Sequence, residues 1–192
     1  MKKFKIFAVA AMLAFGTSAF AQLANSAYFQ WSPSEVTYHH SKFNFTGLSL
    51  GYNRTIGITE SVPLSVEVGG ALQYSFGKED GVKMNMFSIK VPVNLTYDWD
   101  VTDKITIAPF AGFMARFNIW GEWKYGSEST NMFSDDGGCK RFQLGWQAGA
   151  NFKLNKKYYV GCSYGTDLTN FIDIEHHSAK IHALNVTAGM YF

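Results

Sequence analysis

One stretch of the sequence, residues 62–77 (VPLSVEVGGALQYSFG), limits the folds that this chain can adopt. Apolar side chains or glycine occupy every second position from Leu64 to Phe76, and small or polar side chains lie between them. This period of two is that of a β-strand, whose side chains alternate between two faces. A helix is excluded because adjacent Gly69 and Gly70 would lie in its interior and because no apolar stripe recurs every 3.6 residues. The run also exceeds the usual five or six residues of a strand. Its length and its glycine-rich second face predict a membrane-spanning barrel.

The same alternation recurs along the chain and predicts eight strands, an even number. Besides the third strand at 62–77, the predicted strands cover residues 23–32, 42–53, 87–99, 105–117, 141–154, 158–167 and 184–192. The predicted fold class is therefore all-β, an eight-stranded antiparallel up-and-down transmembrane β-barrel. Pro92 lies within the fourth strand, and a closed barrel has no edge strand to accommodate its missing N–H. We therefore expect a bulge or a skipped ladder bond at Pro92.

The segments between the predicted strands differ in length. Residues 32–41, 121–140 and 169–180 are polar and are predicted to be loops, whereas 78–83, 100–103 and 155–157 are predicted to be short turns. A connection through residues 54–61 is of intermediate length. If the chain starts in the periplasm, the three long loops are external, as membrane barrels require. The short segment 78–83 and the longer 54–61 are exceptions to this rule.

The first 21 residues are predicted to be a cleaved secretory signal peptide. Lys2, Lys3 and Lys5 precede an apolar run, and Ala19-Phe20-Ala21 forms a cleavage site before Gln22. The barrel domain then covers residues 22–192. Removing three lysines leaves 14 basic against 15 acidic side chains, so the net charge changes from +2 to −1 and gives no indication of nucleic-acid binding. No other stretch approaches 18 apolar residues, so we expect no transmembrane helix.

Alternation alone does not decide whether the apolar face of each strand meets lipid outside the barrel or packs inside it. A soluble lipocalin-like barrel would turn its apolar face inward. Lipid on the outside is favoured because the other face is rich in Gly, Ser and Ala, which fit the narrow lumen of an eight-stranded barrel. Glu67, Lys90, Arg116 and Asp167 lie mid-strand on that face, and aromatic residues cluster towards strand ends as in interfacial girdles.

Four segments carry a resemblance to a known family: residues 89–97 (IKVPVNLTY), 142–152 (FQLGWQAGANF), 164–168 (YGTDL) and 189–192 (GMYF). In this order they resemble the outer-membrane β-barrel domain family of bacterial porin-family and PorT-like proteins. The resemblance implies the outer membrane of a Gram-negative-type bacterium as location. It also implies that C-terminal Phe192 is the signal recognised by the barrel-assembly machinery. The family supplies no catalytic residues, and "porin" in its name does not establish a pore.

All five histidines are predicted to lie at one end of the barrel. His39 and His40 are in the first external loop, and His176, His177 and His182 are in or beside the last, near Glu35, Asp173 and Glu175. Barrel closure should make these two loops neighbours. A surface zinc site is one interpretation. Solvated loop histidines are the other and are favoured, so no metal or cofactor ligand is assigned.

Two further groups of residues have alternative interpretations. Glu67, Lys90 and Arg116 could line an ion path, but mutual pairing is favoured because side chains nearly fill a lumen of eight strands. Ser178, His177 and Glu175 have the residue types of a lipid A-modifying enzyme, but adjacent loop positions do not fix the geometry of a triad. We therefore expect no catalytic residues and no enzyme.

The two cysteines are predicted to be free thiols. If the sixth and seventh strands pair around 155–157, Cys162 lies opposite Ala150, about 11 residues from Cys139 and beyond disulfide reach. Cys162 would then face lipid and Cys139 would lie in a loop.

The predicted function is that of an integral outer-membrane barrel with a structural or surface-interaction role. The barrel would present the loops around 33–41, 121–140 and 169–180 to the exterior. The aromatic residues of the long loop, Trp120, Trp123, Tyr125 and Phe133, would contact an extracellular ligand or glycan. The alternatives are a narrow porin-like channel for small solutes and, third, a lipid A-modifying enzyme. Expected partners are outer-membrane lipid and the assembly machinery, with no nucleic acid and no cofactor, and the barrel should be a monomer.

Overall fold

The computed structural model describes residues 23–38, 41–58, 62–134, 137–174 and 177–192. The predicted signal peptide, 1–21, lies outside these residues. The described residues form twelve strands: β1 (Leu23–Tyr38), β2 (Ser41–Gly57), β3 (Leu64–Glu79), β4 (Val82–Tyr97), β5 (Trp99–Thr102), β6 (Ile105–Tyr125), β7 (Glu128–Asn131), β8 (Phe142–Leu154), β9 (Tyr158–Asp167), β10 (Ile172–Ile174), β11 (His177–Ala179) and β12 (Ile181–Tyr191). None of the described residues belongs to a helix long and apolar enough to cross a membrane.

Eight of these strands close into an antiparallel barrel. They follow one another around the wall in the order β1, β2, β3, β4, β6, β8, β9 and β12. The ring closes where β12 pairs with β1, with Phe29 opposite Ala188. Strands β5 and β7 pair with the two ends of β6, and β10 pairs with β11 as a separate hairpin. The predicted eight-stranded up-and-down barrel is confirmed.

The two faces of the wall have opposite chemistry. Apolar side chains such as Leu50 and Phe113 point away from the barrel and are 68% and 60% exposed. Polar side chains such as Gln143 and Asn118 point inward and are fully buried. An apolar outer surface of this extent is stable only in contact with lipid, since in water it would expose far more than the few hundred Å² that soluble monomers tolerate. The lipocalin-like arrangement is thereby excluded.

The two ends of the barrel differ in their connections. The segments that follow β6 and β9 are the longest and lie at one end, whereas residues 98–104 and 155–157 and the C-terminus lie at the other. Long loops mark the extracellular side of such barrels, so we refer to the first as the extracellular end and to the second as the periplasmic end. Outward-facing aromatic side chains occur near both ends: Trp31, Tyr74, Phe76, Trp120 and Tyr164 towards the extracellular end, and Tyr52, Tyr97, Trp99, Phe152 and Tyr158 towards the periplasmic end.

Three predicted loops were wrong in extent, because the strands continue into them. β1 runs to Tyr38 and pairs with β2 through most of the predicted loop 32–41. Pro33 is tolerated there because β12 makes no ladder pair with it. In 121–140, β6 continues to Tyr125 and folds back as β7, and 169–180 contains the β10–β11 hairpin. Cross-strand pairing thus overrides the low β-propensity of these polar residues.

The β3–β4 connection is shorter than the predicted turn 78–83. Glu79 pairs with Val82, and the two residues between them, Asp80 and Gly81, have φ values of 48° and 81°. Positive φ at both central positions is that of a type I′ hairpin turn, for which Asp-Gly is a preferred sequence. The skipped ladder bond expected at Pro92 is confirmed, because pairing of β3 with β4 is interrupted between Val68 and Ala71.

Candidate functional site: closed lumen and extracellular rim

An ion pair lies in the middle of the lumen. Arg116 Nη2 on β6 donates a hydrogen bond to Asp167 Oδ2 at the end of β9. The same carboxylate oxygen accepts from the backbone N–H of Ile181, 3.4 Å away, and Arg116 Nε donates to Gln143 Oε1 at 3.4 Å. Both charged side chains are buried. They are stable there because each charge has a partner, which offsets the cost of removing it from water.

Amides connect opposite parts of the wall around this pair. Lys90 Nζ on β4 donates to Gln30 Oε1 on β1 over 2.7 Å, although two strands separate β1 from β4. Gln30 Nε2 in turn donates to Thr187 Oγ1 at 3.1 Å. Gln147 Nε2 donates to Asn94 Oδ1 over 2.9 Å. These bonds cross the space that an ion path would need.

The periplasmic part of the lumen combines tyrosines with a second ion pair. Tyr28 and Tyr159 pack together there, and the Tyr159 and Tyr191 rings lie 5.1 Å apart. Lys153 Nζ lies 2.7 and 2.8 Å from the two carboxylate oxygens of Asp98 and 5.0 Å from the centre of the Tyr191 ring. This layer narrows the lumen from the periplasmic side.

The space left between these side chains is small. Two lumen cavities have volumes of about 40 and 20 Å³, which hold only a few water molecules. The predicted pairing of lumen charges is confirmed for Arg116 with Asp167. Glu67 Oε1 accepts a hydrogen bond from Asn53 Nδ2 at 2.9 Å, and Lys90 donates to the side-chain amide of Gln30.

An apolar cluster fills the lumen at its extracellular end. We call it the plug, and its buried members are Val36, Phe45, Met84, Met86, Met132, Phe171, Ala179 and Ile181. Met84 and Met86 point inward from β4, whereas Met132 and Phe171 come from the segments that follow β7 and β9. The plug therefore joins the barrel wall to the extracellular loops through apolar burial.

Sequence reasoning missed the plug, although a signal was present. Apolar residues occupy the inward-facing positions of β4 at Met84 and Met86, while the adjacent Phe87 begins the outward apolar series. Two apolar residues in succession within an alternating strand indicate that both faces are covered at that level. The predicted start of this strand at residue 87 excluded both methionines.

Cys139 lies against the plug. Its backbone N–H donates to the carbonyl of Met132 at 3.1 Å, and the residue forms an isolated bridge with Ile172. Burial raises the pKa of the Cys139 thiol to about 11, and a weaker hydrogen bond with Trp123 opposes that shift. The prediction of two free thiols is confirmed, as is the position of Cys162 opposite Ala150.

The loop aromatics divide into packed and exposed residues. The Trp123 ring meets that of Phe43 edge-on at 5.3 Å, and the Arg141 guanidinium lies 4.9 Å from the centre of the Phe133 ring. Tyr125, at the end of β6, is 67% exposed, and Trp120 faces outward from the wall. Of the four aromatics predicted to meet a ligand, Tyr125 is the one that projects beyond the barrel.

Three lysines lie side by side on the outer face of the rim. Lys83 on β4 is directly opposite both Lys78 on β3 and Lys124 on β6. Lys124 Nζ lies 2.8 Å from Glu122 Oε1. The hydrogen bond from Lys124 lowers the pKa of the Glu122 carboxyl. Among the described residues, Lys78 and Lys83 form no ion pair.

His182 is the histidine whose surroundings are described. Its Nδ1 atom lies 3.0 Å from the Tyr164 hydroxyl and 2.9 Å from the Thr166 hydroxyl on β9. His39, His40 and His176, together with Glu175, lie outside the described residues, as do the side chains of Asp173, His177 and Ser178. The part of the chain that is described holds no group of three or more potential metal ligands. The zinc interpretation thus gains no support from these residues, and neither does a triad at 175–178.

Comparison with known proteins identifies the family. Residues 7–192 match the family model described as outer membrane protein beta-barrel domain. The chain belongs to this family. Membership places the barrel domain in the bacterial outer membrane, as the sequence predicts. No curated protein matches the sequence.

Solved structures with the same fold share little sequence with this barrel domain. Ail, the attachment invasion locus protein of Yersinia pestis, was solved in complex with the heparin analogue sucrose octasulfate. That chain is 15% identical, and the match covers 90% of this chain and 100% of Ail with a TM-score of 0.55. Neisserial surface protein A is 13% identical with a TM-score of 0.57, and the match covers 88% of this chain and 99% of that one. Identities this low show the fold alone.

One comparison corrects the expectation that the protein is not an enzyme. The match to the outer membrane enzyme PagL covers 83% of this chain and 97% of PagL, with 13% identity and a TM-score of 0.51. The same fold therefore supports catalysis in another protein. The prediction from the sequence that this protein is not an enzyme was wrong, because the same barrel wall can position catalytic or non-catalytic residues at its rim.

Proposed function

We propose that this barrel domain is a surface-interaction protein, which binds an extracellular ligand through the β6–β7 hairpin. The observation that carries the proposal is the filling of the lumen by the plug, the Arg116–Asp167 pair and the tyrosine layer. A lumen filled by side chains argues against passage of solutes through the barrel interior. The surface that remains for specific contacts is the extracellular end.

The hairpin extends well beyond the length that a membrane needs. β6 has 21 residues, whereas a tilted strand crosses a bilayer in about 9–11. Its last residues pair with β7, with Tyr125 opposite Glu128. At the tip, Gly126 has a φ of 59° and the Tyr125 ring is exposed.

A glycan is the ligand class that this hairpin favours. An exposed, rigid aromatic ring among polar side chains offers stacking area at low entropic cost, and Lys124, Glu128 and Ser129 supply hydrogen-bonding groups beside Tyr125. Ail, which has the same fold, was solved with a heparin analogue. That precedent supports an extracellular ligand for this barrel domain, whose hairpin carries both signs of charge.

Glycan-array binding by the refolded barrel tests the proposal. We expect binding to at least one glycan and its loss in Tyr125→Ala. Tyr97→Ala is the matched control, since Tyr97 is an exposed tyrosine at the periplasmic end. Binding that Tyr125→Ala leaves unchanged would overturn the hairpin as the site.

Bilayer conductance tests the alternative of a narrow channel. We expect no discrete steps from protein whose folding is verified by heat-shifted gel mobility. Reproducible steps would refute the proposal and would make Lys90 and Arg116 the residues to replace.

A further inference from the structure

A groove runs along the outer surface of the wall at the extracellular rim. It has a volume of about 790 Å³ and is lined from β1, β2, β3, β4, β9 and β12. Its lining is more apolar than polar and includes Pro33, Phe76 and Leu184. Lys78, Lys83 and His182 line the same groove. It therefore combines an apolar floor with basic side chains.

Two lysines of the groove are placed where their like charges repel each other. Lys78 and Lys83 are exposed and directly opposite each other, and like charges in such a cross-strand pair are destabilising. Two nearby carboxylates have other partners, whereas Asp80 lies exposed in the turn between the two lysines. Glu35 Oε2 lies 3.2 Å from Lys42 Nζ, and Glu79 Oε2 accepts from the Asn44 backbone N–H at 2.7 Å. An external anion would relieve the repulsion between Lys78 and Lys83.

The position of this pair along the strands matches the headgroup layer. Tyr74 is opposite Phe87, and these rings lie four residues before Lys78 and four residues after Lys83 along their strands. Four residues correspond to about 14 Å along a strand, or about 10 Å along the membrane normal for a strand tilted by 45°. Aromatic rings mark the start of the headgroup region, so the ammonium groups lie within it.

We propose that this groove binds one phosphorylated glycolipid of the outer leaflet, of the lipopolysaccharide type, with a lipid phosphate between Lys78 and Lys83. The acyl chains lie against Phe76 and Leu184, and His182 contributes a hydrogen bond to the headgroup from the β12 side. Charge complementarity favours this occupant, because acyl chains and phosphates of one molecule match the apolar and cationic parts of one groove. The site is separate from the β6–β7 hairpin and does not rest on the proposed function.

Native mass spectrometry of the refolded barrel with bisphosphorylated lipid A tests the site. Because each lysine near an anionic headgroup adds to the attraction, Lys78→Gln/Lys83→Gln should bind lipid A more than tenfold more weakly. The matched control is Lys104→Gln/Lys157→Gln, since both lysines are exposed at the periplasmic end. The control should bind like the wild type. Equal affinity of both double variants would overturn the proposal.

Two further arms identify the source of the anion and separate binding from folding. Dephosphorylated lipid A should bind as weakly to the wild type as lipid A does to the double variant, and 10 mM inorganic phosphate should not displace the lipid. Equal binding of the dephosphorylated lipid would refute a phosphate site, and displacement by free phosphate would refute a lipid site. In phosphatidylcholine vesicles, Lys83→Gln should raise the urea midpoint of unfolding, whereas with lipid A it should lower it. The same direction of shift in both membranes would contradict the role of Lys83.

Discussion

Arg116 on β6 and Asp167 on β9 join non-adjacent strands through a buried ion pair, since β8 lies between them in the wall. Together with Lys90, they line a cavity of about 20 Å³. Two basic side chains and one carboxylate thus share a space that solvent barely enters. The position of Asp167 at the end of β9 also brings the backbone N–H of Ile181 to the same carboxylate.

Replacing Asp167 should destabilise the barrel more than replacing Arg116. Asp167→Asn leaves Arg116 and Lys90 buried without a carboxylate, whereas Arg116→Gln leaves Asp167 close to Lys90. Removing one member of a buried pair costs about 3–5 kcal/mol, and Asp167→Asn should lie at the upper end of this range. Urea unfolding in lipid vesicles measures the difference.

The matched control for this pair is Asp103→Asn, because Asp103 is exposed in a periplasmic turn. Its unfolding midpoint should be that of the wild type. An Asp167→Asn variant as stable as the control would show that the pair contributes no stability.

Gly112→Ala should impair folding, whereas Gly70→Ala should not. A Cβ atom on Gly112 would lie 2.1 Å from the carbonyl oxygen of Val93 and 2.6 Å from the Asn94 Cα atom, so backbone would have to move. Overpacking of this kind costs about 1–3 kcal/mol. A Cβ atom on Gly70 would meet nothing within 4 Å. Refolding yield on heat-shift gels compares the two, and equal yields would contradict the close approach of β4 to β6.

Phe171→Ala should release the extracellular loop without unfolding the barrel. Phe171 is buried in the plug, and its backbone N–H and C=O bond to Ala179 and Lys140 over 2.7 and 2.8 Å. Truncating a buried Phe costs about 3–5 kcal/mol of stability. This loss should destabilise the plug and not the wall, because backbone hydrogen bonds between strands hold the wall together. Trypsin should then cleave after Lys180 faster than in wild type.

The control for the plug is Leu168→Ala, since Leu168 is largely exposed. This variant should resist trypsin as the wild type does. A Phe171→Ala variant with wild-type cleavage kinetics, or one that loses its heat shift, would show that loop and barrel do not have separate stabilities.

Alkylation of Cys139 should be slow at pH 8 and should accelerate at higher pH. A thiol with a pKa of about 11 is about 0.1% thiolate at pH 8, about 100-fold less than a thiol with a pKa of 9, and the thiolate is the nucleophile. Cys162→Ala leaves Cys139 as the single thiol. Its iodoacetamide rate should rise about tenfold per pH unit up to about pH 11. A plateau below pH 9.5 would indicate that the thiol is not buried against the plug.

Much of the wall could be predicted from the sequence because its determinants are local. The alternation in β3 and β9 predicts each strand, and the small and polar composition of the second face then indicates which side meets lipid. The bounds Tyr158–Asp167 agree with those predicted for the seventh strand. The prediction failed where polar sequences extend strands, as in β1 beyond Ser32 and β6 beyond Phe117. There, hydrogen bonds to a neighbouring strand decide the conformation, and the local sequence of one segment does not indicate which strand it pairs with.

By itself, the sequence determined the barrel, its eight wall strands and the direction in which side chains point within the predicted strand limits, since a membrane permits regular β-structure only as a closed barrel. Only the tertiary structure decided which inward side chains meet. The partners Arg116 and Asp167 are 51 positions apart in sequence, and the plug combines residues from β1, β2, β4, β11, β12 and the segments that follow β7 and β9. Such contacts depend on register and closure around the ring. The groove is decided in the same way, because Lys78 and Lys83, at the tip of the β3–β4 hairpin, share it with residues of β9 and β12 only when the barrel closes.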